Sequence, residues 1–530
     1  MSDMEPVPNH ALAADATVDG GDLDCGGGLL LLIRRSIDPL PRGGLLDVRS
    51  TETSVDVELP AWCRMTGNEL VSWTKHGSQR SFLVCKGRLA ERARPTNPAG
   101  VAPAPARAHA DGAPTLGARG APAARTATVA STALNRARVL PAAAPAASIA
   151  PLSVMGIGSW PRPKWLVRVL HEFLEGRLSE SEFHASADDA VRLAIAAQER
   201  SGAHVVSDGE QRRDSYVSFV GSRLENCQLV PLTDLLPMVD QPEKLAAEFA
   251  RLDVPAEHVR HPAILGRIAR TRPIARHELD FARGVTQRPI KVALPGPYLL
   301  SRVLFLECMA EKTYATREEL AVDVVNVLRE ELFDLLAAGA SIVQFDEPVL
   351  TEVVFGGEKH GTSFMCGALS ARGDADRELA FARELLDAVT SGAPRERVAV
   401  HVCRGNWTPD ESAALRGDYR PLLDYFARVD VGTCLLELCT PRAGELEVLR
   451  ALPDDKRVGV GAVNQKAPLV EDVASIVAHV RRAIDVLGKE RVLLVPDCGF
   501  ATFADNPVAS AAIAESKLAA LVQAAARIAG

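Results

Sequence analysis

From residue 151 onward the chain alternates two patterns. Short apolar runs recur at about 153–158 (SVMGIG), 203–207 (AHVVS), 290–294 (IKVAL), 341–346 (SIVQFD), 398–402 (VAVHV), 433–437 (TCLLE), 458–463 (VGVGAV) and 492–496 (VLLVP). Each has the length and β-branched character of a strand buried on both faces. Between most of them the apolar positions return every three or four residues, as in 319–340 (ELAVDVVNVLREELFDLLAAGA), which is the helical period. A last helical stretch, 506–530, opens with Asn506 ahead of Pro507. Strands alternating with helices in this way predict a (β/α)8 barrel of the TIM type with insertions; a doubly wound open sheet is the alternative. A barrel makes a demand of its own: the chemistry must cluster just beyond the C-terminal ends of the strands.

Ahead of this region lies a second, shorter pattern. Residues 28–40 (GLLLLIRRSIDPL) read as a helix and 45–51 (LLDVRST) as a strand. A second helix is expected to open near Pro60 within 57–73, running into a strand at 71–73 that pairs with 81–85 around the turn KHGSQ. The order βαβαββ predicts a small α/β sandwich domain over residues 1–92. Residues 101–150 hold 20 Ala and 6 Pro, with Asp111 the only acid. Lacking large apolar side chains for a core, 93–150 is expected to be a disordered Ala/Pro-rich linker. The barrel then occupies 151–530.

Composition narrows the setting. At 530 residues the chain is too long for one ordinary domain, and 47% hydrophobic with 24% charged is the balance of a soluble globular protein. A net charge of −8 gives no reason to expect nucleic acid or an anionic membrane surface as partner. No apolar run reaches the roughly 18 residues of a membrane span, and the acidic start, with Pro and Asn following, does not resemble a signal peptide. Ten dispersed cysteines fit reduced thiols, so a cytoplasmic location is expected.

The strand ends do carry polar residues: Ser159, Asp208, Glu210, Asp346, Glu347, His401, Cys403, Glu437, Asn464, Lys466 and Cys498. Any single acid among them reads equally well as a helix N-cap. His401 and Cys403 say more. Two residues apart at the end of one strand, they share a face, and an imidazole beside a thiol is half of a zinc site. Glu437 and Cys498, each ending another apolar run, are the candidates for the other half. Cys439, two residues after Glu437, competes with it, although Thr440-Pro441 ends the strand there.

The motifs IGSWPRP (157–163), SDGEQRRDSYVSF (207–219), QFDEPVL (344–350), HVCRGNW (401–407), LLELCTPR (435–442) and PDCGF (496–500) together resemble the catalytic domain of the cobalamin-independent methionine synthase family, most closely its single-barrel members. The resemblance implies zinc ligands at His401, Cys403, Glu437 and Cys498. It implies homocysteine contacts at Ile157, Gly158, Ser159, Glu210 and Asp346. It also implies zinc-dependent methyl transfer to homocysteine, with methyltetrahydrofolate as donor. Two positions depart from the family. Lys466 stands where the family has a proton-donating His, and ALPGPYLLSRVLF (293–305) lacks the family's pterin-stacking Trp, leaving Tyr298 as either a substitute or a buried structural residue. Arg212, Arg213 and Arg302 are candidate anchors for a folate polyglutamate.

Residues 21–90 are similar to the small sulfur-carrier family, through Leu23-Asp24, the GGLLDVRST strand and the ELPAWCRMTGNELV helix. That family's C-P-x-P motif is absent, with Cys25 the nearest thiol, while Cys63 and Cys85 sit in apolar patterns of core type. A sulfur-transfer partner acting through this domain is one expectation. A thiol alkyltransferase using another small thiol, and a sulfur-trafficking adaptor with an inactive barrel, are the alternative functions.

Overall fold

The computed structural model describes residues 10–23, 29–92, 128–136, 138–231, 233, 260–264, 266–305, 313–355, 374–406, 409–444, 446–501, 504 and 508–530. Its contacts divide the chain into two units, one holding most of the residues up to Thr128 and the other running from Val129 to Gly530.

In the N-terminal unit four strands form one sheet: β1 (Ala16–Asp19), β2 (Leu45–Ser50), β3 (Glu69–His76) and β4 (Gln79–Cys85), ordered β1-β2-β4-β3. Only the β1–β2 pair is parallel. With helices Leu30–Ile37 and Val55–Thr66 the order is βαβαββ, as the pattern predicts. The second helix starts at Val55, ahead of Pro60, which lies inside it. Asp56 and Glu58 favour the positive end of the helix dipole, and Leu59, Trp62 and Cys63 bury a common side, which together outweigh the one backbone bond that Pro60 removes. Gly67, at φ +71°, ends the helix in the left-handed conformation, and the chain turns directly into β3.

The larger unit contains six parallel strands, β7 (Lys291–Pro295), β8 (Ile342–Asp346), β9 (Val398–Val402), β10 (Thr433–Leu436), β11 (Arg457–Val463) and β12 (Val492–Pro496), in that spatial order. The two remaining predicted runs close the circle through isolated parallel bridges: Val154 pairs with Leu494 of β12, Met155 with Val205, and Val206 with Ile290 at the foot of β7. The first run thus joins the last strand, which makes a closed barrel and rules out the open sheet. An antiparallel ribbon, β5 (Cys227–Pro231) and β6 (Arg260–Ile264), is inserted before β7 and was not expected from the pattern.

Strand alternation sorts the side chains. Met155, Ile157, Val205, Ile342, Ala399, Leu435, Leu493 and Val495 form a cluster of their own inside the barrel. Val343, Phe345, Val400, Val402, Leu436 and Val460 belong to the large core under the helices. With a period of two, the inward face of β8 continues from Ile342 to Gln344 and Asp346, that of β9 from Ala399 to His401, and that of β10 from Leu435 to Glu437. A one-residue slip in register would turn all of them outward.

Within the stretch expected as a linker, Val129–Arg136 is helical and buries Ala133 in the barrel unit's core. Ala130 N–H donates to Glu384 (2.9 Å), and the carbonyls of Ala144 and Ile149 accept from Arg397 (2.6 Å) and Arg457 (2.8 Å). Residues 129–136 and 138–150 therefore pack with the barrel, because small side chains allow close approach and arginines satisfy the irregular backbone; 93–127 and 137 lie outside the described residues. No helix among the described residues is long and apolar enough to cross a membrane.

Candidate metal centre and amino-acid cleft

His401 ends β9 one residue before its last, Cys403 follows it, and Cys498 lies just past β12. Their ligand atoms all fall within 4.8 Å of one another, and all three residues are buried. His401 Nδ1 lies 2.8 Å from Asp346 Oδ1, so the ring donates there and leaves Nε2 with its lone pair. That Nε2 is buried and has no hydrogen-bond partner among the described residues. Cys498 donates to the Cys403 sulfur. This bond is the main reason the Cys403 thiol falls to about 6, with His401 helping, while the same bond and burial push Cys498 well above its ordinary value. A partnerless imidazole nitrogen beside a thiolate and a second thiol is the donor set that suits zinc, so the residues present fit that ion.

Glu437 is fully buried at the end of β10 but stands outside this group of three. Arg442 holds its Oε1, with Nε at 2.9 Å and the second nitrogen closer, and Oε2 accepts the Arg404 backbone N–H (3.2 Å). Burial, with the charges of Asp497 and Cys403, raises its carboxyl well above the ordinary range. Cys439 also lies outside the group; its backbone N–H donates to Asp497 Oδ1 (2.9 Å), and burial pushes its thiol up.

A cleft of about 440 Å³ opens beside the three ligands, lined by Ile157, Ser159, Glu210, Tyr216, Asp346 and Asn406 among others. The segments are tightly fitted. Glu210 adopts φ +55°, uncommon without glycine, with its N–H held by Asp208 Oδ1 (3.0 Å). A Cβ on Gly158 would stand 2.2 Å from Glu210 Oε1, so only glycine lets that carboxylate reach the turn at 157–159. Ser207 donates to the Gly158 carbonyl (3.0 Å), and Ser159 Oγ accepts from Ala501 N–H (3.3 Å). Burial lifts the Glu210 carboxyl to about 7, with Arg213 opposing the shift and Asp346 adding to it. The arrangement places two acidic side chains and a backbone turn beside the three candidate metal ligands.

Lys466 is buried, donates from Nζ to the Asp410 carbonyl (3.3 Å) and has its pKa lowered mainly by burial; it does not line the cleft. Tyr298 is structural: fully buried, its hydroxyl donates to Glu378 (2.6 Å) and accepts from Arg302 (2.9 Å). Arg213 pairs with Glu278 at 2.6 Å, and Arg212 bonds Asp188 while its guanidinium lies 4.7 Å from the Phe281 ring centre. The three arginines expected as anchors are thus committed to internal partners. Glu347 accepts the N–H groups of Tyr298 (2.8 Å) and Leu299 (2.9 Å) and serves as a helix cap. Sequence reasoning missed Tyr216, Asn406, Gln344 and Lys291. The last two are polar residues inside otherwise apolar runs, a signal that was present.

The sequence profile of the cobalamin-independent synthase catalytic domain matches residues 152–527. The chain belongs to that family. A methionine synthase of Saccharolobus solfataricus is 24% identical over 368 residues, 69% of this chain and 92% of the relative. A 5-methyltetrahydropteroyltriglutamate–homocysteine methyltransferase of Cronobacter sakazakii is 26% identical over 347 residues, and the match spans 40% of that longer enzyme. Among solved structures, a B12-independent methionine synthase from Shewanella sp. W3-18-1 has the same fold, with a TM-score of 0.55 at 23% identity, covering 72% of this chain and 98% of that one. The family match begins and ends with the barrel and leaves the N-terminal unit outside it.

Proposed function

We propose that this protein transfers a methyl group to the thiol of homocysteine, forming methionine, at a zinc site held by His401, Cys403 and Cys498 with Glu437 as an exchangeable fourth ligand. The observation that carries the reading is the partnerless His401 Nε2 facing two cysteine sulfurs, with Asp346 on the ring's other nitrogen. Zinc bound there supplies the substrate sulfur as thiolate near neutral pH, which an unassisted thiol, with a pKa of about 8.5, does not reach. The residues around it do the rest. Glu210 and Asp346 hold the α-ammonium of the amino acid, and the Ile157-Gly158-Ser159 turn receives its carboxylate. The sulfur–methyl bond forms as the donor's nitrogen–methyl bond breaks. The departing nitrogen then takes a proton; Lys466, which does not line the cleft but lies near enough for its charge to act on Glu437, Cys498 and Cys403, is the proposed source.

Methyltetrahydrofolate is the donor suggested by the names of the longer relatives. One observation favours a second reading, in which zinc-thiolate chemistry serves another donor or another small thiol: Tyr298, Arg212, Arg213 and Arg302 are all engaged inside the protein. Turnover assays with homocysteine and other small thiols, against mono- and triglutamyl methyltetrahydrofolate, decide between the two; no methyl transfer with any pair would leave the inactive-barrel adaptor. A cytoplasmic setting suits the reduced thiols. Sulfur delivery through the N-terminal unit would run through Cys25, outside the described residues, because Cys63 and Cys85 are buried.

A further inference from the structure

Lys291 is a lysine in the middle of a barrel. It sits on the inward face of β7, only 2% exposed, and its Nζ donates to two oxygens: the Gly156 carbonyl at 2.5 Å and Gln344 Oε1 at 2.6 Å. An ammonium has donors and no acceptor. Gln344 must therefore turn its oxygen to Lys291 and its NH2 group away. That group meets Asp346 Oδ1 at 2.7 Å. The same oxygen faces His401 Nδ1, which must donate to it, and the tautomer with a free Nε2 follows. The carboxylate only accepts, so it fixes the His401 tautomer, while Lys291 and Asp346 together hold the Gln344 amide that braces that carboxylate. The second branch ends at Gly156, the residue before the Ile157-Gly158-Ser159 turn. Burial lowers the Lys291 pKa to about 7, and Asp346 and Glu210, as negative neighbours, favour its ammonium form against that burial.

We propose that Lys291 is a positioning residue for both halves of the site, bracing the Asp346 carboxylate, and with it the His401 ring, through Gln344 and tying down the amino-acid-binding turn through the Gly156 carbonyl. The inference rests on the zinc and homocysteine reading above. A buried lysine is costly unless its bonds serve something, and here both of its acceptors lead to site elements, one to each.

The test compares zinc affinity, by chelator competition, and homocysteine binding, by titration, in the full-length protein and in Lys291→Met, Gln344→Met and the double variant. Removing a partner that orients a metal ligand weakens metal binding about 10–100-fold. Both single variants are expected to show such a loss, and the double variant no more than either, since one chain carries the effect. With zinc saturating, homocysteine binding is expected to weaken about tenfold in Lys291→Met and by less in Gln344→Met, which keeps the Gly156 bond. A lysine that only supported the fold would change thermal stability alone. Folded Lys291→Met with parental zinc affinity and homocysteine binding overturns the proposal. If that variant does not fold, parental zinc affinity in Gln344→Met overturns it. A parental protein that takes up no zinc overturns the underlying reading together with this one, an outcome distinct from variants that match a zinc-binding parent.

Discussion

His401 and Asp346 are direct partners in the pairing of β9 with β8, and their side chains meet at 2.8 Å on the inner side of the barrel. The register alone brings them together: each ends the inward face of its strand, so the carboxylate that lines the amino-acid cleft is also the one that orients the imidazole. In the proposed reading Asp346 serves both the thiol end and the ammonium end of the substrate. Replacing it by Ala is expected to weaken zinc binding about 10–100-fold and to raise the homocysteine KM as well. Chelator competition and steady-state kinetics on the same variant check the pair of effects.

Glu210 supplies the pH dependence. Burial raises its carboxyl to about 7, so the carboxylate needed for an α-ammonium is lost as the pH falls through that value. The homocysteine KM is expected to rise about tenfold per unit below pH 7, and Glu210→Gln to raise KM and remove the slope. Stability runs the other way. A carboxyl whose folded pKa is raised contributes stability that is fully present below its unfolded value and lost as the pH rises through about 7. Glu210→Gln is therefore expected to be more stable than the parent at pH 8 and equal to it at pH 4, as thermal melts would show.

The pair Arg442–Glu437 carries a prediction about folding. Their side chains are 6% and 1% exposed, and burial already raises the Glu437 carboxyl, so removing the guanidinium leaves a protonated carboxyl with one backbone N–H for company. Arg442→Met is expected to cost about 1–3 kcal/mol. Adding Glu437→Gln, which is neutral as well, should change the loss little. Urea unfolding of the single and double variants measures both.

Tyr298 is expected to matter for stability and not for the donor. Its ring is enclosed, and its hydroxyl links Glu378 to Arg302. Tyr298→Phe leaves those two groups one partner short, at about 1–3 kcal/mol, with the KM for the methyl donor unchanged. A raised donor KM with unchanged stability would show that the ring reaches the substrate.

Much of this was legible in the chain. The eight runs are the eight positions around the barrel, since buried parallel strands leave a strong, continuous apolar signal. His401, Cys403 and Cys498 came together because each lies at or just past the end of a strand where a barrel gathers its chemistry. Other features depended on information the pattern does not hold. The first two runs pair through isolated bridges, and their role appears only when the circle closes. Arg212, Arg213 and Arg302 read as candidate anchors for a polyglutamate, and only the fold supplies the acids and rings they meet. Glu437 is on the predicted strand end, yet its orientation is set by Arg442 from the following turn, a partner no periodicity reveals. Residues 129–136 and 138–150 were too poor in large side chains to suggest packing, and they pack through backbone carbonyls and arginines instead.

The central claim is that the three buried donors hold a metal that activates a thiol. The most direct measurement is the zinc content of the purified protein beside its Cys498→Ser variant, followed by titration of homocysteine with proton release recorded. About one zinc per chain, lost or strongly reduced in the variant, with a proton released as the thiol binds, is the predicted result. A protein free of zinc that leaves homocysteine protonated would contradict it.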